Sequence, residues 1–246
     1  MKKILTLLVL GTISSFLTTS ASAQILNDDF NRPDGPLVGT SPTPGPGSVW
    51  TNHSGTIGDL LIQSGQALVQ HGVPSEDAHS IFASQSVGVL TAVFDITVND
   101  DTPITAGDSE YFAHFMEDGT FAFLSRLYVV PANTGGNDYT LGLSTSSGGF
   151  TETFPSDFTF GEQINVTLTY DFGTTLSSLT VGGTTIVSSV PVAQAALDSF
   201  ALRQSDSMNN ESILVDNLVV SVVPEPTTFA LGGFGLLALM TLRRRR

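Results

Sequence analysis

The chain has no cysteine, and no lysine after Lys3. The first absence excludes disulfide stapling, so the fold must be held by a hydrophobic core; it also removes thiolate catalysis and cysteine metal sites. Positive charge is scarce between the termini. Residues 24–222 carry only Arg32, Arg126 and Arg203 against 22 Asp and Glu, a formal charge of −19. A field of that sign repels nucleic acid and anionic lipid, which excludes a phosphate-binding role. It is compatible with divalent cations, with neutral glycans or with plain colloidal solubility. Tryptophan occurs once, as Trp50. The four histidines (His53, His71, His79 and His114) are scattered, and none forms a His-Glu-x-x-His pair. There is no Gly-x-Ser-x-Gly elbow and no phosphate-cradling glycine loop. Zinc and nucleophilic chemistry are therefore not expected.

Both ends are apolar where the middle is not. Lys2 and Lys3 form a basic n-region, residues 4–17 an apolar h-region, and Ala21-Ser22-Ala23 a small-residue cleavage site before Gln24. This predicts a signal peptide over 1–23 and a mature start at Gln24. At the other end Pro224-Glu225-Pro226 interrupts regular structure, since each proline fixes φ and removes a donor. The 16 residues 227–242 carry no charge, and Arg243, Arg244, Arg245 and Arg246 close the chain. As a helix such a segment spans about 24 Å, short of the roughly 30 Å hydrocarbon core, although arginines can snorkel. This terminus, residues 223–246, resembles the PEP-CTERM sorting signal of Gram-negative bacteria. The resemblance implies recognition by an exosortase, transient or lasting contact with the inner membrane, and an envelope or extracellular destination. The alternative is an ordinary membrane anchor with its arginines left in the cytoplasm.

Residues 24–222 form one expected domain, because no linker-like break interrupts the hydrophobic pattern. Helical periodicity is nearly absent and alternation dominates. Over 90–98 one face carries Leu90, Ala92, Phe94, Ile96 and Val98; over 164–172 it carries Ile164, Val166, Leu168, Tyr170 and Phe172. Hairpin turns are expected at Gly182-Gly183, Asp118-Gly119 and Ser64-Gly65. Further strands are expected near 25–30, 78–87, 137–144 and 212–222. About ten to twelve short antiparallel strands predict an all-β sandwich. Residues 192–197 hint at one helical turn, and 33–47, rich in Pro and Gly, cannot be a central strand. The phenylalanines fall mostly on the inward phase and read as core.

The opening stretch Leu26-Asn27-Asp28-Asp29-Phe30-Asn31-Arg32-Pro33-Asp34-Gly35 and the closing stretch Ser212-Ile213-Leu214-Val215-Asp216-Asn217-Leu218-Val219-Val220 look like the first and last strands of laminin G-like, concanavalin A-like domains. That resemblance implies a jelly roll whose first and last strands are neighbours in one sheet.

Three kinds of site chemistry were weighed against it. Asp28, Asp29 and Asp216 sit on segments that the resemblance brings together, and acidic loops supply the oxygens that calcium takes; the alternative is acids capping turns. Asp100, Asp101 and Asp108 share one loop. Concanavalin-like glucanases carry Glu-x-Asp-x-Glu on a strand, and the nearest approach is Asp108-Ser109-Glu110 with Phe112 where the next acid belongs. Sugar recognition wants amphipathic rings, for which Trp50 and Tyr111 are the candidates, with Tyr128 and Tyr139 behind them; Trp50 also suits a core. The sequence thus predicts an exported, non-catalytic β-sandwich of the cell envelope or exopolysaccharide matrix that binds polysaccharide, with calcium as the cofactor to test. A polysaccharide-cleaving enzyme and a purely structural surface protein are the alternatives.

Overall fold

Among the described residues the alternation is realised in sixteen strands. The computed structural model describes residues 22–71, 74–105, 110–146, 148–205 and 211–223. Ala21, Asp108 and the sorting residues Pro224, Glu225, Pro226 and Arg243, Arg244, Arg245 and Arg246 lie outside the described residues.

In chain order the strands are β1 (Ala23–Asp28), β2 (Gly35–Pro36), β3 (Thr51–Gly55), β4 (Leu61–Gln63), β5 (Gln66–Gln70) and β6 (Glu76–Gln85). There follow β7 (Val89–Asn99), β8 (Tyr111–Met116), β9 (Phe123–Val130), β10 (Thr140–Ser144) and β11 (Glu152–Thr153). The last five are β12 (Gln163–Asp171), β13 (Leu176–Val181), β14 (Thr184–Val187), β15 (Leu197–Gln204) and β16 (Ser212–Val223). They form two antiparallel sheets. A nine-stranded sheet runs β14-β13-β12-β7-β16-β5-β4-β2, with β1 also on β16; a seven-stranded sheet runs β11-β10-β9-β8-β15-β6-β3.

Each sheet buries one phase of its strands. On β7, Leu90, Ala92, Phe94, Ile96 and Val98 are buried, and β12 pairs with it so that Val166 faces Phe94 and Leu168 faces Ala92. The two layers meet through aromatic edges: Phe94 of one sheet lies 5.6 Å from Phe200 of the other, which in turn lies 5.5 Å from Phe115. Polar contacts also cross the sandwich: the Gln70 amide donates to Gln204 Oε1 at 3.0 Å, and Ser125 on β9 meets Ser177 on β13 at 2.7 Å. Both serine hydroxyls are buried and paired, so neither carries a desolvation penalty alone.

The tight hairpins follow their turn residues. Ser64 and Gly65 (φ 53° and 80°) join β4 to β5, and Gly182 and Gly183 (φ 55° and 85°) join β13 to β14. Two successive positive φ values give the primed turn whose twist matches that of the strands.

As the resemblance implies, β1 and β16 are neighbours, with Ala23 opposite Val222. Gln24 and the end of β16 therefore lie side by side. Two expectations need correction. More strands form than alternation suggests, because β2 and β11 are two-residue edge pairings too short to leave a periodic trace. Residues 192–197 form no helical turn: the Tyr170 hydroxyl donates to the Val192 carbonyl at 2.7 Å and accepts from the Gln194 amide at 3.1 Å, holding the segment extended.

Candidate functional site

Asp28 is fully buried, and its carboxylate already has its partners. It takes both terminal nitrogens of Arg32 at 2.7 and 2.9 Å, the indole N–H of Trp50 at 2.7 Å, and the amides of Phe30 and Thr43 at 3.0 and 3.2 Å. That donor set leaves no lone pair for a cation, which corrects Asp28 as a calcium ligand. It also decides Trp50. The indole is wholly enclosed, packed at 6.0 Å from Phe30, and offers no sugar-stacking face. Its polar edge satisfies the buried acid instead.

Asp29 and Asp216 do come near one another, with Asp95 beside them. Burial pushes the Asp216 carboxyl above its ordinary range, and the charges of Asp95 and Asp29 push the same way. Amides occupy this patch: Asn165 and Asn217 donate to Asp95 at 2.7 and 2.9 Å, and Asn31 N–H to Asp29 at 3.0 Å. Among the described residues no group of three or more acids and histidines is arranged to hold a metal ion. Of the glucanase comparison, Asp108 and Ser109 lie outside the described residues. Phe112 is a core residue, and Glu110 is ion-paired to Arg203 at 2.5 Å.

Chemistry-bearing side chains collect on the outer face of the seven-stranded sheet. On β9 the core takes Leu127 and Val129, so Arg126, Tyr128 and Val130 point the other way. There Tyr111, Tyr128 and Val130 form a cluster separate from the core, with Phe123 packed on it. Guanidinium groups from the strands on either side of β8 lie over the Tyr111 ring, Arg126 at 4.5 Å and Arg203 at 4.4 Å from its centre. Arg203 is neutralised by Glu110 and by Asp77 at 3.5 Å. Burial raises the Asp77 carboxyl despite a 2.9 Å bond from Ser54 and the nearby arginine. Arg126 has no acidic partner among the described residues; its Nε donates to the Phe123 carbonyl at 3.3 Å.

Three of the four histidines share this face. His114 is completely buried between Tyr111 (5.3 Å) and Phe123 (4.8 Å), and neither ring nitrogen has a hydrogen-bond partner. Burial holds it neutral, well below its ordinary pKa, and the two arginines add to that. His79 lies 3.3 Å from Asp118, yet burial outweighs the acid and lowers its pKa. His53 bonds the Thr120 carbonyl at 3.2 Å and sits edge-on to His79, Phe121 and Phe123. Two rings rise to solvent at the rim: Phe121, 83% exposed beside His53, and Phe150, 38% exposed at 5.9 Å from Tyr128. Gly142 on β10 makes room for Phe150, since a Cβ there would come within 2.9 Å of the Phe150 Cβ.

Of the rings named from sequence, Tyr111 belongs to this face but is covered by guanidinium groups, and Tyr139 is buried in the core. The open rings are Phe121 and Phe150, which the sequence reading assigned to the core. Arg126, Arg203, His53, His79 and His114 were also missed as a group. One signal pointed to them: two of only three basic residues in 24–222 lie on strand segments whose opposite phase is apolar.

The terminus is assigned by motif. Residues 222–246 match the PEP-CTERM protein-sorting motif. The sandwich that precedes this PEP-CTERM segment is similar to several solved structures. One is peanut lectin, at 14% identity over 80% of this chain and 100% of that one, with a TM-score of 0.49. A PL7 alginate lyase of Zobellia galactanivorans aligns at 15% identity over 65% and 79%, with a TM-score of 0.46. A sialidase aligns at 11% identity and a TM-score of 0.49 over 70% of this chain, which spans only 17% of the sialidase. Likeness at this level concerns the fold alone. Comparison with curated proteins finds no match.

Proposed function

We propose that this is an exported surface protein whose sandwich binds extracellular polysaccharide on the outer face of the seven-stranded sheet, without cleaving it. Residues 1–23 are its signal peptide, 24–222 the binding domain and 223–246 the sorting segment, with a short membrane helix ahead of Arg243. Signal peptidase and an exosortase-type enzyme are its processing partners, and the Gram-negative envelope or its matrix is its destination. The sorting-motif match supports that route.

The observation that carries the binding reading is the layout of one face: open rings of Phe121 and Phe150 at the rim, and between them a floor of Tyr, His and Arg side chains. Sugars are bound by stacking on such rings and by planar polar side chains nearby. Binding without cleavage is favoured because Asp77 and Glu110, the acids beside Tyr111, are both engaged by Arg203. With Asp28 committed to the core, no metal is assigned to the face, so calcium is expected to be dispensable there.

The test is affinity electrophoresis of the full-length chain in neutral detergent, through gels containing different polysaccharides, with calcium or with EDTA. Retardation in one of them, unchanged by EDTA and lost in Phe121→Ala, is the expected result. Phe121 is so exposed that its removal leaves the core untouched. A cleared track would mean cleavage, and unretarded migration throughout would leave a purely structural protein; either outcome overturns the reading.

A further inference from the structure

We infer that the group recognised on this face is a carboxylate carried by the polysaccharide, a uronate-type sugar unit, with Arg126 as its cationic partner. The inference rests on the glycan-binding reading above and narrows it to a chemical class.

Charge placement is the first argument. In a domain of 22 acids and three arginines, two of the three converge on one tyrosine ring. Arg203 is matched by Asp77 and Glu110, and Arg32 elsewhere by Asp28. Arg126 alone has no carboxylate among the described residues, although it is only 9% exposed. Holding a guanidinium largely out of water without a counter-ion is costly. The cost is removed when a ligand supplies the anion. With so many acids among the described residues, that none of them pairs with this cation favours an external partner.

The neighbouring imidazole supplies no counter-charge. His114 is fully buried under Tyr111 and Phe123 with both ring nitrogens unpartnered. Wholly enclosed by these rings, it offers no polar contact to a ligand and leaves Arg126 as the group at the Tyr111 ring without an ion-pair partner among the described residues. The guanidinium itself prefers a planar acceptor that takes its fork in two parallel bonds.

The domain's own charge decides between carboxylate and sulfate ester. At −19 the sandwich repels a densely charged polyanion, while in about 0.1 M salt charges more than roughly 10 Å apart are screened. A polymer with at most one carboxylate per sugar reaches Arg126 under these conditions more readily than a heavily sulfated one.

The experiment uses the full-length chain in detergent at physiological salt, in gels of hyaluronan, alginate and polygalacturonate, their carboxyl-reduced forms, neutral dextran and dextran sulfate. The expected result is retardation by at least one uronate polymer and an apparent Kd at least tenfold weaker after carboxyl reduction. Arg126→Gln, checked for unchanged thermal unfolding, should lose the same factor. Equal retardation by native and reduced polymer, or by neutral dextran, would overturn the carboxylate assignment while leaving glycan binding in place. Preference for dextran sulfate would overturn it in favour of sulfate. Failure to bind any polymer would overturn glycan binding itself. Should Arg126→Gln fail to fold, the comparison of native with reduced polymer on the unaltered protein still decides.

Discussion

Asp28 illustrates how a single acid can look like a ligand in sequence and be a keystone in the fold. Two acids beside an aromatic, near a chain terminus, fit a cation site equally well on paper. What separates the readings is the partner set: Arg32 from the next turn, Trp50 from 22 residues away and the Thr43 amide from the proline-rich loop. The carboxylate thereby ties β1 to that loop and closes one end of the core. Asp28→Asn keeps the shape but removes the charge and turns one acceptor into a donor facing donors. Breaking a buried ion pair from one side costs about 3–5 kcal/mol. The expected outcome is a much lower denaturant midpoint with an unchanged slope, measured by urea unfolding.

At the scale of elements, the seven-stranded sheet is unusual in what its outer phase carries. β7 and β12 of the other sheet show clean alternation, with Thr91, Thr97, Asn165 and Thr167 on the wet side. Those strands were legible in the sequence because one face is plainly solvent. β8 is buried along its entire length, and all of β9 but Phe123, so neither shows the inside-outside contrast that alternation depends on. Bulges in the β8–β9 pairing shift the phase further. This is why Phe121, Phe123 and Phe150 read as core. Gly142 gives the element-level test. It lies opposite Tyr128 in the β9–β10 pairing, and a methyl there would press on Phe150 and Val130. Gly142→Ala should displace Phe150 from Tyr128 and weaken retardation in the affinity gel. The accompanying loss in stability should be about 1–3 kcal/mol, the usual cost of overpacking, read from the urea midpoint.

For the molecule as a whole, buried neutral histidines set the acid limit. Burial pushes His71 down to about 4, while its Nδ1 accepts the Ser205 amide at 3.1 Å. His79 and His114 are lowered for the same reason. Their unfolded forms take up protons near pH 6.5, before the folded ones do. Folding stability is therefore full above about pH 6.5 and falls as the pH drops toward 4. Asp77 and Asp216, raised by burial, act in the opposite sense and offset part of the loss at the acidic end. For His71 alone the difference amounts to about 3 kcal/mol across the window. Urea midpoints should fall between pH 7 and pH 5, and less steeply in His71→Asn; a flat profile would show that the folded protein admits the proton.

The division of information follows from the range of the interactions involved. Turn chemistry, alternation over single strands, the signal-peptide pattern and the Pro-Glu-Pro segment with its arginine cluster are local, and the sequence alone determined them. So were the neighbouring positions of the first and last strands, through two short stretches that resemble a known architecture. The candidate site is not local. Tyr111 and Arg126 sit on the consecutive strands β8 and β9, but Arg203 joins them only because β15 returns beside β8, about 90 residues later in the chain. Whether a ring packs or stands in solvent depends on which face of which sheet it ends up on, and that was decided by the tertiary structure.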